Sequence, residues 1–194
     1  MHILAPCRPQ GSTGDCCDKL DDVVRITGVV GLAFVVVQHL SPDYKSMMVE
    51  LLSKHTRMKV QHAVNGSLIK PDTVYLIPPK KQLTIEEGKL YLVEQATVSG
   101  INLPIDIFFR SLARDQENQA IAVILSGTGT DGTLGGRVVK EVGGYVLVQN
   151  PESAQFDGMS KSAIQTGIAD SILTPEKMPH EILTYVQHPY LSRL

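Results

Sequence analysis

Three residues in separate loops carry the chemistry of a nucleophilic relay: Ser12, His39 and Asp131. His39 comes two residues after the apolar run "LAFVVV" (Leu32 to Val37), and Asp131 comes six residues after "AIAVIL" (Ala120 to Leu125). In a parallel sheet the functional edge lies at the carboxyl ends of the strands, so both should project there. An imidazole and a carboxylate on one edge make two thirds of a relay in which a base activates a hydroxyl or thiol. Ser12 is the best candidate for the third member. It stands in "QGSTGD", where Gly11 and Gly14 permit a tight strand-to-helix turn with backbone N–H groups free at a helix start. It lies 27 positions before His39, which suits the preceding β-α unit.

The loop "SGTGTDGTLGG" around Asp131 has two other readings. A phosphate cradle would need G-x-x-x-x-G-K-S/T, but no lysine follows until Lys140, and the dinucleotide pattern with its ribose-binding acid is missing too. That argues against nucleotide binding. Capping of the helix that follows by Asp131 stands beside catalysis as an open alternative.

The elements that must position these residues alternate along the chain. "LAFVVV" is β-branched and continuous, as in a strand covered on both faces, and "SPDYKSMMVELLSKHT" then reads as a helix behind Ser41 and Pro42. "TVYLIPP" (Thr73 to Pro79) is a strand, and "QLTIEEGKLYLVE" is a hairpin turning at Glu87 and Gly88. In "LPIDIFFRSLARDQ", Ile105, Phe108, Phe109 and Leu112 form a helical stripe, with Asp106 and Arg110, four apart, as a weak helix pair. The strand "AIAVIL", a short helix through Val138 and Val139, the strand "GYVLVQN", the helix "SKSAIQTG" and a helix from Pro175 to about Gln187 follow. This order predicts an α/β fold: a doubly wound, mostly parallel sheet with helices on both faces and a small antiparallel hairpin annex. Asp157, Gly158 and Met159 fall on the site edge as a candidate wall of the substrate cleft, while Met47, Met48, Phe108 and Phe109 read as core.

Composition narrows the function classes. The 194 residues, 43% hydrophobic and 20% charged with a formal net charge of -2, give no electrostatic case for nucleic acid or anionic membrane. The longest apolar run, Val29 to Val37, is far short of the roughly 20 residues of a membrane span, so a cytoplasmic protein is expected. Cys7, Cys16 and Cys17 are an odd set without C-x-x-C spacing, read as reduced thiols; with His2 they match no zinc pattern. His55, His62, His180 and His188 lack metal spacing as well, so neither metal nor cofactor is expected.

Taken together, "GSTG", "VVVQHLSPD", "VYLIPP", "LPIDIFFRSLA", "VILSGTGTDGTLG" and "QNPESAQFDGMSKSAIQTG" resemble the catalytic domain of the chemotaxis protein-glutamate methylesterases, the CheB family, in the branch found beside methyltransferase domains. The resemblance runs nearly unbroken from Gly31 to His188. It implies a doubly wound α/β fold and a Ser-His-Asp triad with Ser12 as nucleophile, His39 as base and Asp131 as orienting acid. It also implies backbone oxyanion donors near Thr13 and Thr128, where the family loop often carries methionine at the second position. The implied reaction removes methyl groups from glutamates on the cytoplasmic helices of chemoreceptors as methanol, with deamidation of receptor glutamines as a companion activity. A methyltransferase domain or protein is a second implied partner.

The first thirty residues depart from the pattern. Pro6, Arg8 and Pro9 interrupt the expected first strand, and Asp15 stands where the family turn has glycine, which predicts at best an edge or irregular strand. The chain is expected to be one domain over residues 1–194, with a divergent segment at 1–30 and no receiver domain. Two function classes follow: an active esterase, and a binding or scaffold module in chemotaxis-type signalling whose first β-α unit no longer supports turnover.

Overall fold

The computed structural model describes residues 31–38, 48–95 and 103–187, together with Leu20 and residues 22–24. The first strand among the described residues, β1 (Ala33–Val36), is followed by helix α1 (Met48–Leu52), β2 (Lys59–His62), β3 (Ser67–Leu68) and β4 (Thr73–Leu76). A hairpin of β5 (Lys81–Glu86) and β6 (Lys89–Glu94) leads to α2 (Pro104–Gln116), β7 (Ile121–Ile124), α3 (Thr133–Glu141) and β8 (Tyr145–Gln149). The described chain ends with α4 (Gly158–Gln165), β9 (Ser171–Leu173) and α5 (Met178–Val186).

Among the described residues two parallel three-stranded sheets, ordered β1-β4-β2 and β7-β8-β9, form the centre, and a third, β3-β6-β5, is antiparallel. The alternation of side chains along the parallel strands divides the interior in two. Ala33, Val35 and Val37 of the first sheet share a core with Ala122, Ile124, Val146 and Val148 of the second. On the opposite faces Leu32, Phe34 and Val36 share a core with Ile121, Val123, Leu125 and Leu147. Helices α2, α3 and α4 and the hairpin cover the first core through Ile105, Phe108, Phe109, Leu112, Val139, Met159 and Leu83. Leu20, Val23, Val24, α1 and α5 cover the second. Strands buried on both faces are why "LAFVVV" and "AIAVIL" are continuously apolar. Phe108 and Phe109 are fully buried and Met48 nearly so, as core residues should be; Met47 lies outside the described residues.

Three short strands are additions to the sequence reading. β2 is an edge strand with a half-exposed pattern, β3 has two residues and β9 has three, too little apolar alternation to register in the sequence. The hairpin turns where expected: Glu87 and Gly88 both have positive φ, 49° and 69°, the backbone that a two-residue turn of matching twist requires.

Helix α5 is fastened to the β7-β8-β9 sheet by a polar cluster. The Tyr145 hydroxyl donates to Glu181 Oε1 at 2.5 Å and lies 2.8 Å from Ser171 Oγ, while its ring stacks on Tyr185 with centroids 4.1 Å apart. Burial, reinforced by the Glu181 hydrogen bond, pushes the Tyr145 phenol up to about 12, and burial shifts Tyr185 in the same direction. A phenol whose folded value lies above the ordinary 10 stabilises the fold fully below pH 10 and loses that contribution as pH rises toward 12. Denaturant midpoints measured at pH 9 and 11 should therefore fall steeply for the natural chain and less steeply for Tyr145→Phe.

Candidate active site

The segment between β7 and α3 is built to hold one carboxylate out of solvent. β7 is buried at every position, and its core continues through Leu125 into Ser126. The loop is then gripped by the segment that follows β8. Gln149, fully buried at the end of β8, accepts the Ser126 N–H on Oε1 at 2.8 Å, and its amide nitrogen donates to Ser153 O at 3.0 Å. The Gly127 N–H donates to Phe156 O at 2.8 Å, the Met159 N–H donates to Gly127 O at 2.9 Å, and the Phe156 N–H donates to Ser126 Oγ at 3.0 Å. Met159 is fully buried, so it braces this loop from within and lines no open cleft, contrary to the sequence expectation; Asp157 pairs with Lys161 at 2.6 Å.

Asp131, 3% exposed, ends this loop. Its Oδ2 accepts the Ile105 N–H at 3.1 Å, and its Oδ1 accepts the N–H groups of Asp106 and Gly132, both at 2.9 Å. Ile105 and Asp106 belong to the first turn of α2, where N–H groups have no partner within the helix. Pro104 has no N–H to satisfy, and the Ile107 N–H already reaches Leu103 O at 3.1 Å, so Asp131 completes the turn. The capping alternative is thus real but falls on a different helix: α3, which follows Asp131, has Gly132 at its N-cap, a residue with no side chain to cap with.

Asp106 answers in the opposite direction. It is 4% exposed, and its Oδ1 accepts the Gly135 N–H in the first turn of α3 at 2.6 Å. The helices meet closely there, since a Cβ on Gly135 would stand 2.8 Å from Asp106 O and 2.6 Å from Phe109 Cβ. The expected helix pair with Arg110 is therefore replaced: Asp106 turns inward, and the exposed Arg110 acts on it through charge alone. Burial, with the Asp131 charge adding to it, raises the Asp106 carboxyl above the usual carboxylate range against the opposing Gly135 hydrogen bond.

Residues 11–182 match the family model described as CheB methylesterase. The chain belongs to the CheB methylesterase family. The crystal structure of the Thermotoga maritima CheB methylesterase catalytic domain superposes with a TM-score of 0.83 at 29% identity, covering 95% of this chain and 98% of that one. A protein-glutamate methylesterase/protein-glutamine glutaminase of Rhizobium meliloti is 34% identical over 158 residues, 81% of this chain and 45% of the relative. An uncharacterized 104.1 kDa protein of Rhodobacter capsulatus is 42% identical over 148 residues, 76% of this chain and 15% of the relative. The chain thus spans half or less of the length of these curated relatives.

Of the residues singled out for a CheB triad and its oxyanion donors, the structure describes Asp131 and Thr128. Thr128 is half-buried in the loop that leads to Asp131. Ser12, Thr13 and His39 lie outside the described residues, as do the three cysteines and His188; Gln38, just before His39, is buried at the end of the β1 run. Gln149 and Asp106 were missed as site supports. A signal existed for both: Gln149 is a polar residue closing an apolar strand, and Asp106 stands three before Phe109 on the apolar stripe of α2.

Asp131→Ala removes the acceptor of two otherwise orphaned N–H groups in a buried turn. Its unfolding free energy should drop by about 2 kcal/mol, read as a lower denaturant midpoint with an unchanged m-value.

Proposed function

We propose that this chain hydrolyses glutamyl methyl esters on the cytoplasmic helices of chemoreceptors, releasing methanol, through Ser12, His39 and Asp131. The observation that carries the reading is the Asp131 carboxylate, buried and oriented by three N–H groups just past a parallel strand in a CheB-family chain. A carboxylate has about four acceptor sites, so it can take an imidazole N–H beside those backbone donors. The family match spans all three positions.

In the first half-reaction His39 takes the Ser12 proton as Oγ bonds to the ester carbonyl carbon, and Asp131 steadies the imidazolium. Backbone N–H groups near Thr13 and Thr128 receive the oxyanion. The carbon–methoxy bond then breaks, His39 returns the proton to the departing oxygen, and methanol leaves. Water attacks the acyl-serine with His39 again as base, freeing glutamate and regenerating Ser12. Deamidation follows the same route, with ammonia leaving from a glutamine amide. The hydrolytic unit is one domain acting in the cytoplasm, with a methyltransferase domain or protein as its second partner; no helix among the described residues is long and apolar enough to cross a membrane.

Methanol release from a chemoreceptor cytoplasmic fragment carrying glutamyl methyl esters tests this. Ser12→Ala and His39→Ala should each lower kcat by about 10^4-fold or more with the fold intact. Equal turnover in Ser12→Ala and the natural chain would defeat the reading, and absence of turnover in a folded, receptor-binding natural chain would favour the scaffold class.

A further inference from the structure

We propose that Asp106 is a positioning residue for the hydrolytic site: its side chain fixes the start of α3, and with it the loop that presents Asp131. The inference rests on the assignment of Asp131 as the orienting acid and concerns what holds it there. Two crossed caps join the same two helix ends. Asp131, from the loop before α3, caps α2, and Asp106, from the first turn of α2, caps α3 at Gly135.

The tie closes a small ring. From Asp106 the path runs through its own N–H to Asp131 Oδ1, through four residues of chain to Gly135, and through the Gly135 N–H back to Asp106 Oδ1. Every joint in it is buried. Removing the side-chain joint leaves Asp131 tethered to α2 but frees the chain that follows it to shift.

Asp106 is a costly residue for mere packing. Its second oxygen, Oδ2, is buried with no hydrogen-bond partner among the described residues, and a second carboxylate stands beside it. A half-satisfied buried carboxylate next to a like charge is unfavourable for the fold. What the side chain supplies in return is an acceptor at one fixed place, 2.6 Å from Gly135 N. An asparagine can supply the same acceptor without the charge, whereas alanine cannot.

The experiment is methanol release from the esterified receptor fragment by the natural chain, Ser12→Ala, Asp106→Ala and Asp106→Asn, each normalised to folded protein. Misplacing a working group by about 1 Å costs up to about a hundredfold in rate. Asp106→Ala should therefore lose about tenfold to a hundredfold in kcat with KM unchanged, and Asp106→Asn should recover most of the loss. If Asp106→Ala does not fold, Asp106→Ser, whose oxygen is drawn back from Gly135, takes its place and should fall below Asp106→Asn. An unchanged kcat in the alanine variant, or an asparagine variant no better than alanine or serine, overturns the proposal. Turnover that survives in Ser12→Ala instead overturns the assignment of the site on which it rests.

Discussion

The carboxylate of Asp131 accepts N–H bonds from Ile105 and Asp106 in the first turn of α2, and this long-range cap is the constraint around which the candidate site is arranged. A helix start presents aligned N–H groups and the positive end of the backbone dipole, which together make it a natural place for a negative group. Burying a carboxylate is unfavourable unless its oxygens are satisfied by donors. Here three backbone N–H groups at 2.9 to 3.1 Å supply that satisfaction, and none of them depends on a side chain that could rotate away. The result is an acid with a fixed direction.

The rest of the described molecule keeps that geometry rigid. β7 and β8 pair in parallel with both faces buried, so the point where the loop leaves the sheet is set by two cores at once. Gln149 ties the loop's first N–H to the end of the neighbouring strand, and the hydrogen bonds from Gly127 and Met159 fix the loop to the start of α4. On the far side, Asp106 returns the cap to α3. An esterase that relies on an oriented imidazole needs this kind of preorganisation, because an orienting acid free to swing would allow unproductive imidazole geometries.

Much of this was legible in the sequence. Fully buried parallel strands announce themselves as unbroken apolar runs, and β1 and β7 fall inside "LAFVVV" and "AIAVIL". The proline and the stripe of Ile105, Phe108, Phe109 and Leu112 located α2. The edge strands β2 and β9 were silent because an edge needs few apolar side chains. The cap was hidden for a different reason: local rules look for an acceptor next to the helix it caps, whereas Asp131 reaches a helix whose capped residues lie 25 and 26 positions earlier. Asp106 was hidden for the same reason: local spacing offers Arg110 four positions on, whereas its hydrogen-bond donor, the Gly135 N–H, lies 29 positions away.

The proposed hydrolysis needs a serine made nucleophilic by a base that Asp131 orients. Mass spectrometry after timed exposure to an alkyl fluorophosphonate tests that link directly, by locating the adduct and giving its rate in the natural chain and in Asp131→Asn. Modification is expected at Ser12, slowed by about tenfold or more in Asp131→Asn while its unfolding shows that it remains folded. Modification at another residue, or an equal rate at Ser12 in both proteins, would contradict it.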